Sequence, residues 1–412
     1  MSPELILQII VIIFVGNHLL SEVLSYLNFK SHKPILPDLL ADHYQEEEYQ
    51  KSHAYHASTY SFGRLSSWIS FGLTLAVLLL GGFGWLDAQL RAFTIHPVGL
   101  PLLFFGVLYI LSDLLGIPFQ WYSTFVIEEK FGFNKTTPKT FLLDKLKGYL
   151  LAVIVGGLLL GILIALIQFM GENFWWWFWI IISVFIIGIN FVYTSWLVPL
   201  FNKLSPLEGG DLRAQIEAYS QKVGFPLTHI MVMDGSKRST KANAFFSGFG
   251  KKKKVVLFDT LVENYSKDEL VAVLAHEVGH YKRKHIIQNF VISILQSGLM
   301  LFILSRFVFA ENLSLALGAS ESGIHLNLIA FAMLYTPISL LLGIGMNILS
   351  RKNEFEADEY AATTYRSQPL QSALKQLHTD TLSNLTPHPL YVFFHYSHPP
   401  LLQRLEALKK YE

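Results

Sequence analysis

The stretch Leu274–His285, "LAHEVGHYKRKH", sets two histidines four residues apart, with a glutamate beside the first, directly before an apolar run that begins at Ile286. In a helix, positions i and i+4 lie one above the other on a single face. His276 and His280 can therefore each aim an imidazole nitrogen at one ion. Glu277, one position on, flanks that ion and can act on a bound water, the mechanics of the H-E-x-x-H pattern. The competing reading is a solvated polar helix end. Upstream, Ser266 followed by Glu269 predicts a capping box that starts the same helix.

The surroundings are those of a membrane. The chain has 412 residues, of which 52% are hydrophobic and 15% charged, with a mean hydropathy of +0.39. Soluble chains usually carry about 25% charged residues. A hydrocarbon core about 30 Å thick needs roughly 20 apolar residues in a helix. Seven segments qualify: 4–27, 66–87, 98–118, 148–170, 174–200, 286–309 and 325–350. "FWWWFW", Phe174–Trp179, suits an interfacial aromatic belt. Net charge is +1, which gives no reason to expect nucleic acid as a partner, and there is no cysteine for disulfides, thiolate ligands or a thiol nucleophile.

Alternate connections are basic. Lysines and arginines gather between spans one and two, between three and four, along 201–285 and after Ser350, whereas 88–97, 171–173 and 310–324 hold only Arg91. The positive-inside rule then puts the N-terminus outside and the C-terminus in the cytoplasm. The expected organisation is spans one to five over 1–200, a metalloprotease segment at 201–285, spans six and seven at 286–350, and a C-terminal segment at 351–412. Within 201–285 the pattern predicts a helix over "DLRAQIEAYSQKVG", a strand over "THIMVMDGS", and a hairpin in "NAFFSGFGKKKKVVLFDTLVE" turning at Gly248–Lys254. Lys251–Lys254 then form a turn cluster that can approach anionic headgroups, although a plain solvated turn is the stronger reading.

A catalytic zinc takes three protein ligands and keeps one position open. Span seven returns to the cytoplasmic side in "RKNEFEAD", which brings Glu354 to the level of His276 and makes it the expected third ligand. Asp358, four residues on, is the expected carboxylate behind a ligand histidine; Glu356 points off that face. The bland alternative pairs Glu354 with Arg351 or Lys352. Glu128 and Glu129 are expected to brace the cap through basic partners, and His285 to play a supporting or surface role.

"LAHEVGHYKRKH" with "SRKNEFEADEYA" resembles the type I CAAX prenyl endopeptidases, integral-membrane zinc proteases. "YSTFVIEEKFGFNKTT" (122–137), "MDGSKRSTKANAFFSGF" (233–249), "VVLFDTLVENYS" (255–266) and "HYSHPPLLQRLEAL" (395–408) match the same pattern. The resemblance implies an all-α polytopic membrane protein: seven helices in a barrel around a large intramembrane chamber, capped on the cytoplasmic side by a small α+β zinc metalloprotease domain. It implies one zinc per chain on His276, His280 and Glu354, and Glu277 as general base. It places substrate backbone at Asn243 and Ala244, and His398 and Arg404 at the active site, where either could serve an oxyanion or clamp a carboxylate. The implied partners are a peptide or protein substrate, prenylated or not, and membrane lipid. Eukaryotic members often carry a charged insertion before the metal helix. Here Ser266 leads almost directly into it, so the expected location is a bacterial inner membrane rather than the endoplasmic reticulum. Two rivals are a quality-control protease without a prenyl substrate and a transporter or lipid-handling protein with structural zinc.

Overall fold

The structure is a computed structural model that describes residues 1–33, 35–40, 45–247 and 253–412. The apolar blocks form long helices: α1 (Pro3–Ser31), α2 (Glu46–Leu79), α3 (Gly99–Tyr122), α4 (Pro138–Leu151), α5 (Gly157–Met170) and α6 (Phe174–Val192). Six helical runs among the described residues are long and apolar enough to cross a membrane. One of them, Pro138–Phe201, is 64 residues long. At 1.5 Å per residue it would reach about 96 Å, far beyond one bilayer. It folds back at Gly171, whose φ of +57° is in the left-handed region that favours glycine, and α5 packs on α6.

Span two differs from its sequence-based bounds of 66–87. Its helix starts at Glu46 and stops at Leu79, and a separate short helix covers Gly82–Arg91. The break is Gly81, at φ +67°. A Cβ on Gly84 would sit 2.1 Å from the Gly318 carbonyl carbon, so two turns of chain meet here with no side chain between them.

The cap follows. α7 (Asp211–Lys222) precedes α8 (Lys267–Lys282), which carries the two histidines; α9 (His285–Phe307) and α10 (Ile324–Thr364) are the last membrane helices; α11 (Ser367–Asp380) and α12 (Leu401–Leu408) close the chain. Both halves of the predicted capping box form on α8: Ser266 Oγ accepts from the Glu269 amide and the Glu269 carboxylate from the Ser266 amide. α8 ends before Lys284, a non-glycine residue at φ +62°, and this kink redirects the chain into α9. α10 runs unbroken for 41 residues from the membrane into the cap. A single rigid rod therefore carries Glu354 and Asp358.

A four-stranded sheet lies beside α8. Its strands are β1 (Leu204–Pro206), β2 (Leu227–Met233), β3 (Ala244–Ser247) and β4 (Lys253–Phe258), in the order β1-β2-β4-β3. β3 and β4 are antiparallel, with Ala244 opposite Leu257, as a hairpin requires; of the expected turn at Gly248–Lys254, residues 248–252 lie outside the described residues, while Lys253 and Lys254 belong to strand β4 rather than to the turn. β2 and β4 are parallel. Lys253 is buried, its ammonium 4.8 Å from the Tyr281 ring centre, so it is not the solvated turn residue that the sequence suggested. Lys254 donates to Ser195 Oγ.

The cap core takes Val271, Leu274, Ala275 and Val278 from α8, the i, i+3, i+4, i+7 stripe opposite its histidines, and joins them to Ala361, Leu370, Leu374, Leu401 and Leu405. In the membrane, apolar clusters join helix ends: Ile6, Ile10, Leu78, Leu100, Phe104 and Leu326 in one, Ile167, Phe174, Leu301, Leu304 and Phe331 in another. No residue of α10 between Phe331 and Asn353 is buried.

Candidate metal centre

α8 and α10 cross where Gly279 faces Ala357. A Cβ on Gly279 would lie 3.0 Å from the Ala357 Cα and carbonyl oxygen. Only a glycine lets the two backbones close enough for short side chains to converge. Gly279→Val is therefore expected to push the helices apart, with a loss of bound metal and a lower unfolding temperature. Full metal content in that variant would show that the crossing is not what sets the site.

At the crossing, His276 Nε2 lies 3.2 Å from His280 Nε2. Glu354 offers Oε1 at 3.2 Å from His280 Nε2 and Oε2 at 3.5 Å from His276 Nε2. One donor atom from each of the three lies within 4.8 Å of the others. Glu354 Oε2 is buried yet accepts no hydrogen bond; His398 Nδ1, 2.9 Å away, is within ion-pair distance without the alignment. A buried carboxylate oxygen without a hydrogen bond is costly. Two imidazoles and a carboxylate aimed at one point are the donor set of a catalytic first-row cation site. These residues fit a divalent metal.

Each histidine is backed from behind. His276 Nδ1 lies 2.8 Å from Asp358 Oδ1. Burial pushes the Asp358 carboxyl up, but the Arg404 guanidinium outweighs this and holds it at about 2. His280 Nδ1 shares a hydrogen bond with His285 Nδ1 at 3.0 Å, and His285 Nε2 lies 3.1 Å from Glu356 Oε2. Such partners fix ring orientation and raise ligand basicity. Glu356 was set aside in the sequence because it points off the Glu354 face. It does point off that face, and there it meets His285.

Arg404 lies at the site, against Asp358 and Glu354. It is buried, donates from Nε at 2.8 Å and from Nη2 at 2.6 Å to Asp358, and keeps Nη1 3.4 Å from Glu354. The guanidinium thus lies against both carboxylates that α10 brings to the histidines. His398 is the opposite case, with a side chain 65% exposed beside Glu354. Glu277, one position on from His276 in α8, is half-buried, and burial raises its carboxyl above the usual range.

Among the described residues β3 is an edge strand, paired with β4 alone. Asn243 is exposed, its carbonyl accepts from the Phe258 amide, and its Oδ1 accepts from the Ala244 amide. Ala244 and Phe246 pack against the core that α8 helps to build. The segment ahead of the strand is held by the membrane helices: Lys241 Nζ donates at 2.9 Å to Glu128, which also accepts from Tyr55 OH at 2.6 Å. Arg238 donates twice to Asp144, at 2.8 and 2.9 Å. Glu128 thus braces the cap, as its position after span three suggested.

Among known proteins, residues 25–203 match the family described as CAAX prenyl protease N-terminal, five membrane helices, and residues 206–412 match peptidase family M48. The "Probable CAAX prenyl protease 1" of Schizosaccharomyces pombe is 35% identical, over 90% of this chain and 81% of its own. The "CAAX prenyl protease 1 homolog" of Homo sapiens is 32% identical, over 91% of this chain and 88% of its own. The crystal structure of S. mikatae Ste24p superposes with a TM-score of 0.93 at 32% identity, covering 98% of this chain and 99% of that one. With similarity along nearly its whole length and both family regions matched in order, the chain belongs to the CAAX prenyl proteases of peptidase family M48 and is a multi-pass membrane metalloendopeptidase.

Proposed function

We propose that this protein is a zinc endopeptidase that cuts prenylated proteins within their C-terminal CAAX sequences, at the cytoplasmic side of the membrane. The observation that carries the reading is the convergence of His276, His280 and Glu354 on one point, beyond the apolar part of α10 and with Glu277 next to His276 in the chain. The CAAX substrate comes from the names of the relatives. Zinc held by these three residues would lower the pKa of a water and polarise the scissile carbonyl.

The remaining work belongs to the protein. Glu277 takes the proton from the attacking water and passes it to the leaving amine; its raised affinity for protons suits both transfers. His398, exposed beside Glu354, donates to the developing oxyanion. The free edge of β3 at Asn243 and Ala244 takes up the extended peptide by strand addition, which holds backbone whatever the side chains. Asp358, locked by Arg404, fixes His276.

The membrane part is read as seven spans, the run Pro138–Phe201 counting as two because of its reversal at Gly171. A hollow barrel is supported by apolar clusters at the helix ends and by the long middle of α10 without a buried residue. Such a chamber gives the lipid of a prenylated substrate an apolar place away from water. The basic connections put the cap in the cytoplasm. A bacterial inner membrane is favoured by the short link at Ser266; the relatives named above are eukaryotic, so that choice rests on the link alone.

The test is cleavage by the purified protein in lipid vesicles of a farnesylated CAAX peptide and of its unlipidated twin. The expected result is a kcat/KM at least about tenfold higher for the farnesylated peptide, the worth of a few buried methylenes. Equal rates would remove lipid recognition and leave a quality-control protease.

A further inference from the structure

Where the cap meets the membrane helices, cations are met by carboxylates: Lys145 pairs with Asp113, Arg238 with Asp144 and Lys241 with Glu128. Three lysines depart from that pattern. Lys147, Lys203 and Lys237 line one open cavity of ≈ 520 Å³, and among the described residues none of them makes an ion pair. Lys147 Nζ donates at 2.7 Å to the Leu200 carbonyl, and Lys237 Nζ at 3.4 Å to the neighbouring Phe201 carbonyl. An ammonium has three donors, so both keep donors to spare. Asp234, which also lines the cavity, is engaged elsewhere: its Oδ1 accepts from the Lys203 amide at 2.7 Å and from Asn202 Nδ2 at 3.0 Å. Three ammonium groups against one carboxylate leave the cavity positive.

The cavity sits where two spans end. Lys147 immediately precedes the apolar run 148–170, and Leu200 closes the run 174–200. Lys203 leads into β1 and Lys237 follows β2, so the walls join two membrane helices to the sheet of the cap. Further into each apolar run a large side chain stands in the open, Leu150 at 59% and Trp196 at 72% exposed. Leu150 is three residues from Lys147 and shares its helical face. A tryptophan at this level suits the boundary between headgroups and hydrocarbon. A positive mouth above an exposed apolar flank has the polarity of an anionic phospholipid reversed in charge.

We propose that this cavity binds the phosphate headgroup of an anionic phospholipid, held by Lys147, Lys203 and Lys237. Basic pockets between membrane helices on the cytoplasmic side are where such headgroups dock. The phosphodiester oxygens accept the spare ammonium protons, and the acyl chains lie along Leu150 and Trp196. Lys237 is four residues from Lys241, which holds the segment ahead of β3, so a bound headgroup ties the sheet to the bilayer next to an existing brace. The site uses none of the metal ligands, and its test stands apart from the peptidase reading.

The test counts lipid. The full chain is placed in phosphatidylcholine nanodiscs with a rising fraction of phosphatidylglycerol, and the lipid retained per chain after release into detergent is read by native mass spectrometry. Phosphatidylglycerol is expected to be retained in preference to phosphatidylcholine. The fraction needed for half-saturation should rise about fivefold with Lys147→Gln and about fivefold again when Lys237→Gln is added, the worth of one basic residue near an anionic surface each time. Lys147→Arg should keep most of the binding. A control pair, Lys30→Gln with Lys139→Gln, removes the same charge from exposed lysines outside the cavity and should change nothing. Unfolding midpoints in phosphatidylcholine alone check that each variant is folded; if Lys147→Gln is not, the exposed Lys203→Gln takes its place. Equal retention of the two lipids overturns the proposal. An equal effect of the cavity and control pairs overturns it too, since that would be general charge attraction. So does displacement of phosphatidylglycerol by inorganic phosphate at matched concentration, which would make the cavity a site for soluble anions.

Discussion

Glu277→Gln is expected to lower kcat by roughly 10²–10⁴-fold, the usual worth of a positioned general base, while the metal content stays unchanged. Glutamine keeps the shape and polarity of the side chain but cannot take a proton. The donor set does not include Glu277: the atoms within 4.8 Å of one another come from His276, His280 and Glu354. Burial holds the Glu277 carboxyl above its ordinary range, which makes it a stronger base than a surface glutamate. Metal analysis beside single-turnover kinetics separates the two properties. Retained cleavage would remove Glu277 from the chemistry, and a parallel loss of metal would make it a ligand.

The second large effect is structural. Arg404→Met is expected to destabilise the cap by about 3–5 kcal/mol, because removing one member of a buried pair leaves the other charge uncompensated. Asp358 is only 2% exposed and would keep a single polar partner, His276. Its grip on that imidazole should loosen as well, weakening metal affinity by roughly 10–100-fold. Arg404→Lys should restore little, since an ammonium cannot reproduce two parallel hydrogen bonds. Thermal unfolding in detergent, run with a metal titration, reads both quantities. An unchanged midpoint and affinity would return Arg404 to the role of a substrate contact.

The parts of this site that were legible in the sequence are the ones governed by local periodicity. His276 and His280 share a helical face by arithmetic, and the Ser266–Glu269 box marks where that helix begins. Glu354 could be reached by following the chain out through one apolar run and back through the next. What was lost depended on backbone events that periodicity does not carry. Glu356 meets the site only because Lys284 bends the chain and delivers His285 to it. The early end of α2 turns on Gly81 and the close approach of Gly84 to Gly318, a contact between distant segments. β1, three residues long, is too short for an alternation to show. The pairing of Arg404 with Asp358 joins α12 to α10 across 46 residues, and no spacing rule announces it.

The most direct test of the account is zinc stoichiometry taken on the same wild-type sample as cleavage, before chelation, after it, and after zinc is returned. The expected result is one zinc per chain, loss of cleavage of the farnesylated peptide with the metal, and recovery when zinc is restored. Full cleavage by metal-free protein would contradict the account at its centre.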